Sequence, residues 1–132
     1  MKLYPYIFSE NAREQAEFYA EVLNGEILSI QTFENAPQAS EDIKDKVMHL
    51  VLKVGEQTFF MADQVMESLE RGNGMDLVLE FKSEEEARRV FEGLSKDGEV
   101  QMPFDKMFWG KMFGRTKDRF GVAWQITTEH QA

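Results

Sequence analysis

Hydrophobic and polar positions alternate along this chain with two periods. Ala12, Ala16, Tyr19, Ala20 and Leu23 recur at helical spacing, as do Ala87, Val90, Phe91 and Leu94. Each run has a start and a stop signal. Asn11 with Glu14, and Ser83 with Glu86, read as capping-box starts. Asn24-Gly25 and Asp97-Gly98 read as stops, because Gly tolerates the left-handed cap conformation. Elsewhere the period is two, which predicts strands over 3–8, 27–33, 46–54, 58–63, 75–81, 100–102, 107–113 and 122–127. In the third of these, Met48, Leu50, Leu52 and Val54 fall on one side, and Val47, His49, Val51 and Lys53 on the other. Turns are read at Gly55-Glu56 and over Asp118-Arg119-Phe120-Gly121, and loops at 34–45 and 64–74.

The order is strand, helix, three strands, and then the same again. Ala16 aligns with Ala87, Tyr19 with Val90 and Leu23 with Leu94, an offset of 71. This degenerate repeat predicts an α+β fold of two βαβββ modules in a single domain over 1–132. The modules are expected at about 1–66 and 75–128, joined by a loop near 67–74.

Composition narrows the function classes. The 132 residues hold 24 Asp and Glu against 15 Lys and Arg, a net charge of −9. That balance argues against nucleic acid and anionic membranes as partners, since phosphate binding runs on Lys and Arg. The absence of Cys excludes disulfides, thiolate metal sites and cysteine nucleophiles. No apolar run approaches the ~20 residues of a membrane span, and the N-terminus lacks the apolar core of a signal peptide. A cytoplasmic location is expected. The 11 Phe, 3 Tyr and 2 Trp supply more aromatic surface than a core of this size needs.

Several segments resemble the PhnB-like branch of the vicinal oxygen chelate superfamily, the glyoxalase, bleomycin-resistance and dioxygenase proteins. They are Tyr4-Pro-Tyr-Ile-Phe, Phe18-Tyr19, Val47-Met-His-Leu and Met61-Ala-Asp63. The longest is Phe108-Trp-Gly-Lys-Met-Phe-Gly, followed by Asp118-Arg-Phe-Gly-Val-Ala-Trp124. The resemblance implies a curved, cup-shaped mixed sheet, a small-molecule ligand and a homodimer. Metal-dependent members place His and Glu ligands on the first and last strands of each module. Carried over, those positions fall on Tyr4, about Met75, Phe59 or Met61, and Gln125. None is a usual ligand of a catalytic divalent cation, so neither metal nor cofactor is expected. The domain name attached to this branch is that of a methyltransferase. The sequence offers no Gly-rich strand-to-helix loop of the nucleotide-binding type to support that activity.

His49 is the leading candidate for chemistry, either as a general base or hydrogen-bond anchor in the cup, or as a partly buried His held by a neighbour. Asp63 shares a face with Phe59 and Met61 and is either a strand-end carboxylate in water or at a local turn, or half of a His49–Asp63 dyad, the minimal base-and-orienter pair. Tyr4, Trp109 and Phe113 are expected as cavity walls, with Trp109 and Phe113 on one face of a single strand. Gln125 is expected as a polar ligand contact. Arg115, Lys117 and Arg119 either attract an anionic substrate or form a solvated cluster. His130 lies in a polar tail and is given no role. Three readings follow: a metal-independent enzyme using His49 as acid or base, a protein that sequesters a small antibiotic-type molecule without catalysis, or a structural or regulatory partner with a degenerate cup.

Overall fold

Both helix starts form as their sequences predict. In the computed structural model, which describes residues 1–129, Asn11 accepts the Glu14 backbone N–H at 3.1 Å and Ser83 accepts that of Glu86 at 3.2 Å. Helix α1 runs over Ala12–Leu23 and α2 over Glu84–Ser95. The left-handed conformation past them falls on Asn24 and Asp97, with φ of 55° and 60°, and not on the glycines that follow. Gly25 and Gly98 serve close packing instead, since a Cβ there would stand 2.7 Å from Lys53 O and closer still to Lys117 O, respectively.

The strands are β1 (Tyr6–Ser9), β2 (Glu26–Thr32), β3 (Val47–Val54), β4 (Gln57–Asp63), β5 (Leu77–Phe81), β6 (Glu99–Lys106), β7 (Met112–Lys117) and β8 (Ala123–Thr128). His130 lies outside the described residues. The chain divides into two compact units, Met1–Glu70 and Arg71–Ala132. Each is a βαβββ module with one four-stranded mixed sheet, ordered β1-β4-β3-β2 in the first and β5-β8-β7-β6 in the second. The first and last strands of each module pair in parallel, and the other pairs are antiparallel.

One face of each sheet packs on its helix. In the first unit Ile7, Leu50, Leu52, Phe59 and Met61 meet Ala12, Ala16, Tyr19 and Leu23, all buried. In the second, Trp124 and Ile126 are buried with Ala87, Val90, Phe91 and Leu94. A Cβ on Gly114 would stand 2.5 Å from the Phe91 ring, so glycine lets α2 approach β7 this closely.

Two strand expectations are corrected. The pairing of β2 with β3 slips between Gln31 and Thr32, leaving Met48 in a bulge. Val47 therefore turns inward and is fully buried, while Met48 is exposed. The predicted strand over 107–113 is the end of a hairpin instead. β6 continues to Lys106, the turn covers Phe108 to Gly110, and β7 begins at Met112. Of the residues of β6 only Phe104 is even partly buried, and Pro103 sits in its irregular stretch, as suits an edge strand.

The Asp118-to-Trp124 segment has an architectural task. Asp118 Oδ1 accepts the backbone N–H groups of Phe120 and Val122, and Oδ2 accepts the Trp124 indole N–H at 2.9 Å. Gly121, at φ +89°, completes the turn. One buried carboxylate thus ties the β7–β8 turn to the largest core side chain.

Candidate functional site

Strand alternation leaves the second face of the first module without a helix. In register, Tyr6 lies opposite Phe60, Val51 opposite Phe60, and His49 opposite Gln31. Tyr6, Phe8, His49, Val51 and Phe60 therefore share the open face. Their rings form one cluster. Phe60 lies 4.6 Å from Tyr4, 6.2 Å from Tyr6 and 5.0 Å from His49 between centroids, and Tyr6 lies 5.1 Å from Phe8. Tyr4, Tyr6 and Phe8 keep 41–44% of their surface exposed, which is a large uncovered aromatic area for one sheet face.

The hydroxyl of Tyr6 lies 3.2 Å from His49 Nδ1. Burial pushes the Tyr6 phenol above its ordinary value, so it keeps its proton at neutral pH. A phenol is the better donor of the two and a neutral imidazole nitrogen the better acceptor. With Tyr6 donating to Nδ1, the ring proton of neutral His49 resides on Nε2. His49 then offers an N–H donor to a ligand oxygen, and in its protonated form an acid. Beside this face, a groove of about 540 Å³ runs between β2 and the loop after it. Its lining includes Gln31, the cross-strand partner of His49, with Thr32, Pro37 and Met48.

Asp63 does not join His49. It lies on the helix-covered side with Phe59 and Met61, and both its oxygens bind backbone. Oδ1 accepts Ala12 N–H and Oδ2 accepts Val47 N–H, each at 2.7 Å. The carboxylate thus fixes the start of α1 and the start of β3. Thr128 does the matching work in the second module, where its Oγ1 accepts the Met112 N–H at the start of β7 at 3.1 Å.

The open face of the second module is polar. Arg115 donates through Nε and Nη2 to the two oxygens of Asp76, at 2.6 and 2.9 Å, and Gln125 Nε2 donates to the same carboxylate at 2.9 Å. These hydrogen bonds, first from Arg115 and then from Gln125, hold the Asp76 carboxyl below the usual carboxylate range. Gln125 lies opposite Arg115 in register, and Phe113 and Lys117 alternate with Arg115 along β7. Trp109 is not among them. It lies in the β6–β7 turn, half exposed, with its ring edge-on to Phe108 at 4.8 Å. Arg119 is separated as well, at the following turn, where it pairs with Asp97 at 3.6 Å.

The structural repeat also moves two expected positions. Gln64 N–H binds Ser9 O as Glu129 N–H binds Phe81 O, and the caps Asn11 and Ser83 have the same spacing, 72 residues. Tyr4 therefore matches Asp76 rather than Met75, and Gln125 matches Phe60 rather than Phe59 or Met61. The sequence hides Asp76 because the apolar residues of the helices align best at 71, one short of the 72 that the caps and first strands share. The four positions hold Tyr, Asp, Phe and Gln, and the one carboxylate is already closed by a guanidinium. This donor set does not fit a divalent cation. Among the described residues no group of three or more His, Asp or Glu side chains stands close enough to hold a metal ion.

Comparison with known proteins agrees with this architecture. The profile of the 3-demethylubiquinone-9 3-methyltransferase family matches residues 2–127. The structure of protein PA1353 from Pseudomonas aeruginosa is 34% identical, with a TM-score of 0.88 over 99% of both chains. A PhnB protein from Bacillus cereus is 28% identical, with a TM-score of 0.81 over 98% of this chain and 100% of its own. A glyoxalase/bleomycin resistance protein/dioxygenase family enzyme from Burkholderia phytofirmans shares 12% identity and a TM-score of 0.66 over 95% of each chain, which is a likeness of fold. The chain belongs to the 3-demethylubiquinone-9 3-methyltransferase, or PhnB-like, family and has the glyoxalase/bleomycin-resistance/dioxygenase fold.

Proposed function

We propose that this protein binds a small, flat organic molecule on the open aromatic face of its first module, with His49 as the polar anchor. The observation that carries the reading is the Tyr6–His49 hydrogen bond set inside a cluster of exposed rings. Stacking surfaces supply affinity, and a single oriented N–H supplies selectivity for a ligand oxygen. Where the ligand is a substrate, His49 is the group that moves a proton, and no step is assigned to a metal. Sequestration without catalysis is the second reading. It draws on the aromatic surroundings of His49, where among the described residues no carboxylate is bonded to the imidazole. The two modules act here as one domain, Tyr4 adds a ligand contact on this face, and a cytoplasmic homodimer is the working unit.

Native mass spectrometry of untagged protein tests the reading. A co-purified organic molecule retained by the wild type and lost in Phe60→Ala supports it. A molecule retained equally by both overturns it. His49→Gln then separates the two functions: a sequestering protein keeps its ligand, and an enzyme keeps it but loses turnover.

A further inference from the structure

The Arg115 guanidinium is bonded along one edge only. Its Nε and Nη2 are taken by Asp76. No other hydrogen bond or ion pair reaches it among the described residues, which leaves both N–H groups of Nη1 and the second of Nη2 unused. One N–H of Nη1 and the remaining N–H of Nη2 form the end-on fork of the guanidinium, a pair of parallel donors matched to the two oxygens of a carboxylate. The side chain is 34% exposed, so the fork is reachable, while its Asp76 partner is only 12% exposed and fixes it in place. Gln125 locks that partner from the other side and keeps its own carbonyl oxygen free as an acceptor. Apolar surface adjoins the fork. Phe113 precedes Arg115 on the same face of β7, and Val78, opposite Gln125 on β5, is 56% exposed.

We propose that Arg115, oriented by Asp76 and Gln125, is a binding site for the carboxylate of a small organic acid whose apolar body rests on Phe113 and Val78. A simple fastening of β5 to β7 would need the side-on pair alone and would leave the fork indifferent to ligands. The charges around the site are balanced rather than positive. Lys111 on the same face is paired with Glu80 at 3.6 Å, and Lys117 faces Glu99 across the β6–β7 register. Recognition therefore rests on the fork geometry more than on long-range attraction. The site lies wholly within the second module and stands whether or not the aromatic face of the first module binds a ligand.

Benzoate and its neutral isostere benzamide are the probes, titrated to about 10 mM into the full-length protein while backbone and Arg Nε resonances are followed. That range reaches past a Kd of about 1 mM. The expected result is a saturable benzoate shift centred on Arg115, Val78, Phe113 and Gln125, at least about tenfold tighter than any benzamide response. Arg115→Lys keeps the charge without the fork, and is expected to weaken benzoate by about tenfold or more with an otherwise unchanged spectrum. Absence of saturation overturns the proposal. So does equal binding of benzoate and benzamide, a comparison that needs only the wild type. Undiminished binding by a folded Arg115→Lys protein overturns it as well.

Discussion

The Arg115 guanidinium meets the Asp76 carboxylate side-on, Nε to Oδ2 at 2.6 Å and Nη2 to Oδ1 at 2.9 Å, across 39 residues of sequence. The pair joins the segment entering β5 to the middle of β7. Its strength depends on Asp76 being ionised.

That dependence sets a pH signature. Asp76 is held below the ordinary carboxylate range in the folded protein, so its contribution to stability is full above the unfolded pKa of about 4. It is lost as pH falls from there through the lower folded value. Denaturation measured between about pH 5 and pH 2 should show a shallower acid loss in Asp76→Asn than in the wild type. Parallel curves would mean that the pair contributes nothing.

Asp63 is expected to matter for folding rather than for chemistry. Asp63→Ala leaves the N–H groups of Ala12 and Val47 without their acceptor, a cost of about 2–4 kcal/mol at charged hydrogen bonds. Thr128→Val removes the single matching bond to Met112 and should cost about 1–2 kcal/mol. Urea midpoints give both values. An Asp63→Ala protein of unchanged stability that loses a ligand or an activity would reverse this assignment.

Gly114→Ala should destabilise by about 1–3 kcal/mol, because its Cβ would meet the Phe91 ring at 2.5 Å and Phe104 Cα at 2.9 Å. Pairing it with Phe91→Leu should recover part of the loss. Calorimetry of the two single variants and the double variant measures that coupling.

What the sequence made legible follows from the range of the interactions involved. Both helices, their caps and their buried faces are local in origin, and each signal lies within a few residues of what it fixes. β6 is the counterexample. It is an exposed edge strand with Pro103 inside it, so no alternation marks its length, and the sequence pattern sets Trp109 on a strand face beside Phe113 although it lies in the turn. The bulge at Met48 depends on pairing with β2 and moved Val47 to the core without any sign in β3 itself. His49 was readable because alternation set it opposite Leu50 and Leu52. Its partner Tyr6, 43 residues away, was not readable, and neither was the bond of Asp76 to Arg115. The alternation that sets Asp63 on one face with Phe59 and Met61 does not tell a dyad partner of His49 from a strand-end carboxylate. Only the fold reveals that its oxygens face two backbone amides.

The central claim is that the open aromatic face of the first module holds a flat organic ligand through His49. Titration of the full-length protein with acetylnaphthalene and ethylnaphthalene, following the ring resonances of Tyr4, Tyr6, Phe8, His49 and Phe60, tests it most directly. The account predicts saturable shifts confined to these rings and a preference of about tenfold for the carbonyl compound, the worth of one hydrogen bond from Nε2. His49→Phe should abolish that preference while leaving the binding of ethylnaphthalene intact. Shifts located elsewhere, or equal affinity for the two compounds, would contradict the account.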